Sequence, residues 1–169
     1  MSKLSFFDVD KDYIDYLQRE ETRMRGFTRV PNVAYGGNKK FLCGIVLELD
    51  GLKYYVPVSS YKQKQSENLL IVLKQQKTNK VVGSLRFNYM IPVSDENVME
   101  RIIKNEPDPI RKRFLSEQLR FCNASADHIT TLARRTYNNV VNNISEQLTN
   151  NSCMFKFLEK ACVNYKKNL

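Results

Sequence analysis

Apolar positions gather into short strand-like runs up to Val93 and recur at three-to-four spacing beyond it. Residues 4–9 form the first apolar stretch, a candidate strand. In the segment that follows, Tyr13, Ile14, Tyr16 and Leu17 keep helical spacing, and Asp10, Asp12 and Asp15 lie near the start, where the helix dipole favours acids. The pattern breaks over residues 24–40, a polar, basic loop punctuated by Gly26, Pro31, Gly36 and Gly37. Residues 41–49 and 52–58 then alternate as strands around Asp50-Gly51, a turn pair suited to a hairpin because Gly tolerates positive φ. A second polar loop over 59–68 carries Lys62 and Lys64. Residues 69–73, 81–85 and 87–93 read as further strands. Five or six short strands so close together are most simply buried in a small, strongly curved antiparallel sheet or SH3-like barrel.

Past Val93 the helical rhythm takes over. Asp95 is placed to cap a short helix over 96–104. Asp108-Pro109 joins a cap to proline at the first helical position. Ile110, Phe114, Leu115, Leu119 and Cys122 then recur through a helix over 109–123. Residues 126–148 suggest another helix, and a terminal one carries Phe155, Leu158, Ala161 and Cys162 on its apolar face. The expected architecture is a single α+β domain over 1–169, strand-rich to about 93 and helical from about 94.

Charge adds a direction to this picture. There are 27 Lys and Arg against 18 acids, for +9, in a chain of 169 residues. Residues 1–30 balance at six each; residues 31–90 carry nine basic and three acidic side chains; residues 91–169 carry twelve and nine. Two thirds of the excess therefore sits in the middle of the chain, and clustered cations favour a polyanion through counterion release. No apolar run is long enough to cross a membrane and the N-terminus does not read as a secretion signal, so a cytoplasmic chain is expected, with no membrane partner. Cys43, Cys122, Cys153 and Cys162 form no Cys-x-x-Cys pair and read as buried free thiols. Metal chemistry finds little support. His128 has no ligand-spaced partner, and helix capping accounts for Asp8, Asp10, Asp12 and Asp15 better than a cation loop does. No metal or other cofactor is expected. DNA binding is disfavoured, because no helix-turn-helix with a basic recognition helix stands out.

One constellation remains. The strand over 52–58 runs into Ser59-Ser60-Tyr61-Lys62, and the glycine-rich loop delivers Tyr35, Lys39 and Lys40 to the start of its hairpin partner. In an antiparallel hairpin the start of one strand lies beside the end of the other, so Phe41 should face Val58. Lys40 and the 59–62 segment then converge. Such a patch suits RNA, which carries its own nucleophile: the protein need only align the 2′-hydroxyl and stabilise charge on the phosphate. A lysine with an ordinary pKa near ~10.4 is a poor base at neutral pH, so Lys40 and Lys62 fit electrostatic or acid roles first. On residue types alone, a polar lysine-bearing loop of no special purpose is the more economical reading.

Several blocks in order resemble the ToxN/AbiQ family of type III toxin–antitoxin endoribonucleases, which includes the CptN-like toxins. They are Tyr13-Ile14-Asp15-Tyr16-Leu17; Gly44-Ile45-Val46-Leu47-Glu48 followed by Lys53-Tyr54 and Pro57-Val58-Ser59-Ser60-Tyr61-Lys62; Asn88-Tyr89-Met90-Ile91-Pro92-Val93; Lys112-Arg113-Phe114-Leu115 with Gln118-Leu119-Arg120-Phe121; and the segment 155–165. The resemblance implies a MazF/Kid-like SH3 barrel elaborated by helices. It also implies metal-independent cleavage of single-stranded, adenine-rich RNA to 2′,3′-cyclic phosphate and 5′-hydroxyl ends. The implied partner is a repeat-encoded RNA pseudoknot, cut from its precursor by the toxin and bound with it in a closed ring of alternating protein and RNA. The implied substrate is cellular or phage mRNA, with a role in phage defence. Family active-site positions fall on Ser59, Ser60, Lys62, an upstream tyrosine (Tyr35) and an upstream lysine. Counting back from Gly44 selects Lys40; keeping the spacing to Tyr35 selects Lys39. Lys39, Lys64, Arg86 and Arg113 are candidate RNA contacts. The rival reading is a non-catalytic RNA-binding module, for example a translational repressor.

Overall fold

A computed structural model describes residues 3–33 and 40–165. Strand β1 (Ser5–Val9) leads into helix α1 (Lys11–Arg25). Asp10 caps this helix, its carboxylate accepting from the Asp12 N–H at 3.0 Å, so the acidic start does the capping its sequence implies. At the other end Gly26 takes φ +87° and its N–H donates to the Thr22 carbonyl at 2.8 Å. The buried face carries Tyr13, Ile14, Leu17 and, unexpectedly for an apolar stripe, Glu21.

The central hairpin forms as its sequence dictates. β2 (Phe41–Leu49) and β3 (Leu52–Ser59) join through Asp50 and Gly51, both at positive φ (+50° and +82°), as the primed hairpin turn requires. Phe41 pairs with Val58. A second hairpin, β4 (Asn68–Gln75) and β5 (Thr78–Arg86), is longer than the apolar runs within it. Beyond it the expected strand over 87–93 reduces to a 3₁₀ turn at Phe87–Tyr89 and the two-residue β6 (Ile91–Pro92). The Met90 N–H turns back to the Phe87 carbonyl, and Pro92 has no N–H to extend a ladder.

The expected closed barrel does not form. Sheet order is β4-β5-β3-β2-β1-β7, antiparallel throughout, with β6 on β3. β3 shares one edge between β6, at Tyr54 and Tyr55, and β5, at Val58 and Ser59. The second hairpin thus joins only at the end of β3, and the outer strands β4 and β7 remain apart. β7 (Val98–Glu100) itself replaces part of the helix expected over 96–104. Pairing with the β1 edge overrides the local helical signal there, and the flanking residues take 3₁₀ turns at Asp95–Asn97 and Ile103–Asn105. Asp95 does not cap a helix; it receives the Lys53 ammonium at 3.0 Å.

Helix α2 (Pro109–Ala124) starts at the Asp108 cap, which accepts from the Ile110 N–H at 3.0 Å. The helix expected over 126–148 divides into α3 (Ala126–Val141) and α4 (Glu146–Asn150). Asn143 adopts φ +49°, and the Ser145 hydroxyl accepts from the Leu148 N–H at 3.2 Å, restarting the second piece. α5 (Phe155–Asn164) closes the described chain.

One apolar cluster runs from Leu4 to Cys162 and takes side chains from the strands and from all helices except the short α4 as fully buried members. Its aromatic centre is Tyr54, Tyr137 and Phe155, with Tyr137 stacked on Phe155 at 5.5 Å. Both tyrosine hydroxyls donate to Glu159 Oε2, at 2.7 and 2.6 Å. Burial first, and then this carboxylate, push the Tyr54 hydroxyl far above the ordinary phenol range. All four cysteines are buried free thiols.

Candidate functional site

The end of β3 is fixed on both flanks. Phe41 lies beside Val58 on one side; Leu85 and Ser84 lie beside Val58 and Ser59 on the other. Gly83 makes the second approach feasible, because a Cβ there would collide with the Ser59 carbonyl oxygen. Beyond the strand the chain turns at once. Ser59 Oγ accepts from the Tyr61 N–H at 3.0 Å, and the buried Ser84 hydroxyl donates to the Tyr61 carbonyl at 2.7 Å. With one lone pair engaged by the Tyr61 N–H, the Ser59 hydroxyl still has a proton to donate.

The following loop is braced from inside. Asn68, almost fully buried, donates from Nδ2 to the Gln63 carbonyl at 2.8 Å and accepts from the Gln65 N–H at 2.9 Å. The Lys64 ammonium donates to the carbonyls of Gln65 and Asn68, each at 2.7 Å, and Arg135 of α3 reaches the Ser66 carbonyl at 2.9 Å. Arg86 stands at the foot of the loop with its guanidinium 4.4 Å from the Tyr61 ring centroid and 4.6 Å from that of Tyr89.

These groups open onto a cleft of about 630 Å³, lined by Lys40, Ser59, Ser60, Arg86, Tyr89 and residues 28–33, together with Pro57 and Val58. Among the described residues its lining holds three cations, Arg29, Lys40 and Arg86, and no carboxylate. Lys40, Ser59 and Ser60 are thus brought together as the hairpin register requires, and Arg86 joins them through the pairing of β5 with the end of β3. Lys62 is exposed on the adjoining loop, outside the lining. Lys64 contributes to the loop's bracing. Arg113, on α2, is 83% exposed beside Glu117 at 3.2 Å and does not line the cleft. Tyr35 and Lys39 lie outside the described residues. His128 is exposed on α3, and no group of three or more His, Cys, Asp or Glu side chains among the described residues is placed to hold a metal ion.

The wall at 28–33 is the part that sequence reasoning missed. Its anchor is Glu21, fully buried on α1. One carboxylate oxygen accepts from the Arg29 N–H at 2.5 Å and the Thr28 hydroxyl at 2.9 Å, with the Arg25 guanidinium at 3.2 Å. The other accepts from the Met154 N–H at 2.8 Å, just before α5. A buried carboxylate persists only when its lone pairs are filled in this way. The signal was in the sequence: Tyr13, Leu17 and Glu21 recur every fourth residue, so an acid ends the buried stripe.

Comparison with known proteins adds a family to the geometry. The sequence model described as toxin ToxN, type III toxin–antitoxin system, matches residues 5–163. The chain is 28% identical to the endoribonuclease ToxN of Pectobacterium atrosepticum, over 97% of this chain and 95% of that protein. It is 24% identical to the endoribonuclease AbiQ of Lactococcus lactis, over 97% and 90%. A solved type III toxin structure, from work on selective toxin inhibition by a non-coding RNA pseudoknot, superposes with a TM-score of 0.83 at 25% identity, covering 99% of this chain and all of that one.

Proposed function

The chain belongs to the ToxN family of type III toxin–antitoxin systems, and from that premise we propose how its cleft works as the endoribonuclease site of such a toxin. The observation that carries the reading is the acid-free cleft, in which Lys40, Ser59, Ser60 and Arg86 meet at the end of the central hairpin. A substrate phosphate seated there meets cations and hydroxyl donors and no repelling carboxylate among the described lining residues.

Cleavage proceeds without a metal ion. The RNA 2′-hydroxyl gives its proton to solvent water as its oxygen bonds to the neighbouring phosphorus. The bond to the 5′-oxygen breaks, which yields a 2′,3′-cyclic phosphate and, once the 5′-oxygen is protonated, a 5′-hydroxyl end. Ser59 and Ser60 donate to the non-bridging oxygens. Lys40 and Lys62 stabilise the charge that accumulates there, and one of them is suited to protonate the departing 5′-oxygen. Arg86, braced between Tyr61 and Tyr89, holds the flanking backbone, while the tyrosine faces suit stacking of unpaired, adenine-rich bases. Tyr35 and Lys39 complete this set by resemblance, Lys39 as the alternative to Lys40. Lys64 and Arg113 are retained as outer RNA contacts.

The partner is a structured RNA. Inhibition by a non-coding RNA pseudoknot is described for the structural relative, and the same control is proposed here. The toxin trims that RNA from its precursor and closes with it into a ring, acting in the cytoplasm on cellular or phage mRNA. No helix among the described residues is long and apolar enough to cross a membrane. We also read the chain as one functional domain, whose open sheet is a relative of the small MazF/Kid barrel; the hairpin-linked antiparallel order of β2 to β5 supports that kinship.

Purified protein incubated with RNA in EDTA should generate new cyclic-phosphate ends. Ser60→Ala and Lys62→Ala should abolish both cleavage and toxicity, with unchanged unfolding midpoints. Cleavage that depends on added magnesium would overturn the metal-free reaction. Salt-sensitive RNA binding without new ends would favour the non-catalytic module.

A further inference from the structure

We infer that Arg29 is an RNA phosphate-binding residue of the cleft, held ready by its buried surroundings. This rests on the ribonuclease reading of the same cleft and adds a second wall to it. Arg29 lines the cleft with Lys40 and Arg86 but comes from the start of the irregular segment after α1, whose far end carries Lys40, and is remote in sequence from Arg86. Its backbone is fixed by Glu21, and the Val30 N–H donates to the Thr28 hydroxyl at 3.0 Å, which stiffens the residues on either side.

Its side chain is fixed as well. Nε donates to the Asn150 carbonyl at the end of α4, at 3.0 Å, and the guanidinium lies 5.0 Å from the centroid of the Phe27 ring. Nη1 and Nη2 have no hydrogen-bond acceptor, and no carboxylate stands within ion-pair distance, among the described residues. Arg25, the last residue of α1 and four positions earlier, shows the contrast. Its guanidinium is taken up by Glu21 and by the carbonyls of Thr149 and Ser152, and it sits 14% exposed in a purely architectural role. Two arginines therefore reach the same region, one consumed by the fold and one left with a free pair of N–H donors. A planar fork of donors, restrained before binding, matches two oxygens of a phosphate and loses little rotamer freedom on meeting them. Arg29 is thus a binding and positioning residue, distinct from the hydroxyls and lysine at the end of β3.

The test compares wild type with Arg29→Gln and Arg29→Lys. Binding is measured on a 12-nucleotide single-stranded RNA methylated at every 2′-oxygen, which lacks the nucleophile. KM and kcat are measured on the same sequence unmodified. For Arg29→Gln we expect Kd and KM to rise about tenfold, as for loss of one charge-assisted bidentate contact, with kcat within threefold. The plot of log affinity against log salt should become shallower by about 0.7, the share of one single-strand phosphate. Arg29→Lys should restore that slope and only part of the affinity. An unchanged slope in Arg29→Gln would reduce Arg29 to a structural tie to Asn150 and overturn the inference, as would a loss confined to kcat. Wild-type protein that binds but never cleaves would instead sink the ribonuclease reading, and the binding measurements would still decide Arg29.

Discussion

The two walls of the cleft are held by unlike devices. Ser59 and Ser60 stand at the end of a ladder: β3 is hydrogen-bonded on one side to β2 and on the other to β5, and Gly83 lets the second strand close in. Residues 28–33 have no ladder. A single carboxylate, Glu21, gathers the backbone N–H of Arg29, the hydroxyl of Thr28 and the N–H of Met154 around itself. The ladder wall spreads its support over many weak, individually replaceable bonds. The other leans on one buried charge, whose loss leaves three donors unsatisfied together. Gln18 of α1 adds a lesser tie by donating to the Val30 carbonyl at 3.3 Å and to Asn32 Oδ1 at 2.5 Å. A site assembled in this way can be damaged one wall at a time.

The largest expected effect is therefore on the carboxylate wall. Glu21→Ala removes the acceptor from three donors and leaves the Arg25 guanidinium without its counter-charge. Breaking a buried pair from one side costs about 3–5 kcal/mol, readable as a fall in the urea midpoint. Glu21→Gln keeps one oxygen and should cost less while still weakening RNA binding through Arg29. A loss below about 1 kcal/mol for Glu21→Ala, the range of an exposed pair, would show that the Gln18 and Asn150 bonds carry the wall instead. Gly83→Ala attacks the ladder wall instead. Its Cβ meets the Ser59 backbone, which cannot swing aside as a side chain could, so about 1–3 kcal/mol of overpacking strain is expected. Because the strain falls on Ser59 itself, cleavage should drop at least a hundredfold even at temperatures where the variant is fully folded. Retained activity would mean that the hydroxyls at 59 and 60 are not held by the β3–β5 approach.

The same contrast governs how much could be read beforehand. The ladder wall was legible because hairpin register is local information: Asp50-Gly51 sets the turn, and Phe41 must then face Val58. Lys40 and Ser59 follow by counting. The carboxylate wall was legible only as far as Glu21 itself, which periodicity places on the buried face; its partners lie as far away as Met154, and no periodicity announces which donors will meet a buried acid. Elsewhere local signals lost to distant pairing. The 96–104 segment has the composition of a helix, yet β7 completes the edge of β1. A sheet edge in need of a partner outweighs the few tenths of a kcal/mol per residue that helix propensity offers, roughly 0–0.7. The split between α3 and α4 hangs on Asn143 at positive φ, a conformation asparagine tolerates but does not compel.

The smallest expected effect separates two roles for one residue of the ladder wall. Lys64 is basic and exposed, which suits an RNA contact, yet two of its three ammonium protons already point at the Gln65 and Asn68 carbonyls. Lys64→Met keeps the stem and removes the donors. A bracing role predicts a loss of about 0.5–1.5 kcal/mol, since carbonyls at a solvent-facing loop regain water when the ammonium goes. RNA affinity would change little, and its salt slope not at all. An RNA-contact role predicts the reverse: an unmoved unfolding midpoint and a slope shallower by about 0.7. Both signals together would mean that the third proton reaches a phosphate while the other two hold the loop. The ladder wall would then possess its own counterpart to Arg29, a cation whose fixation by backbone carbonyls prepares it to bind.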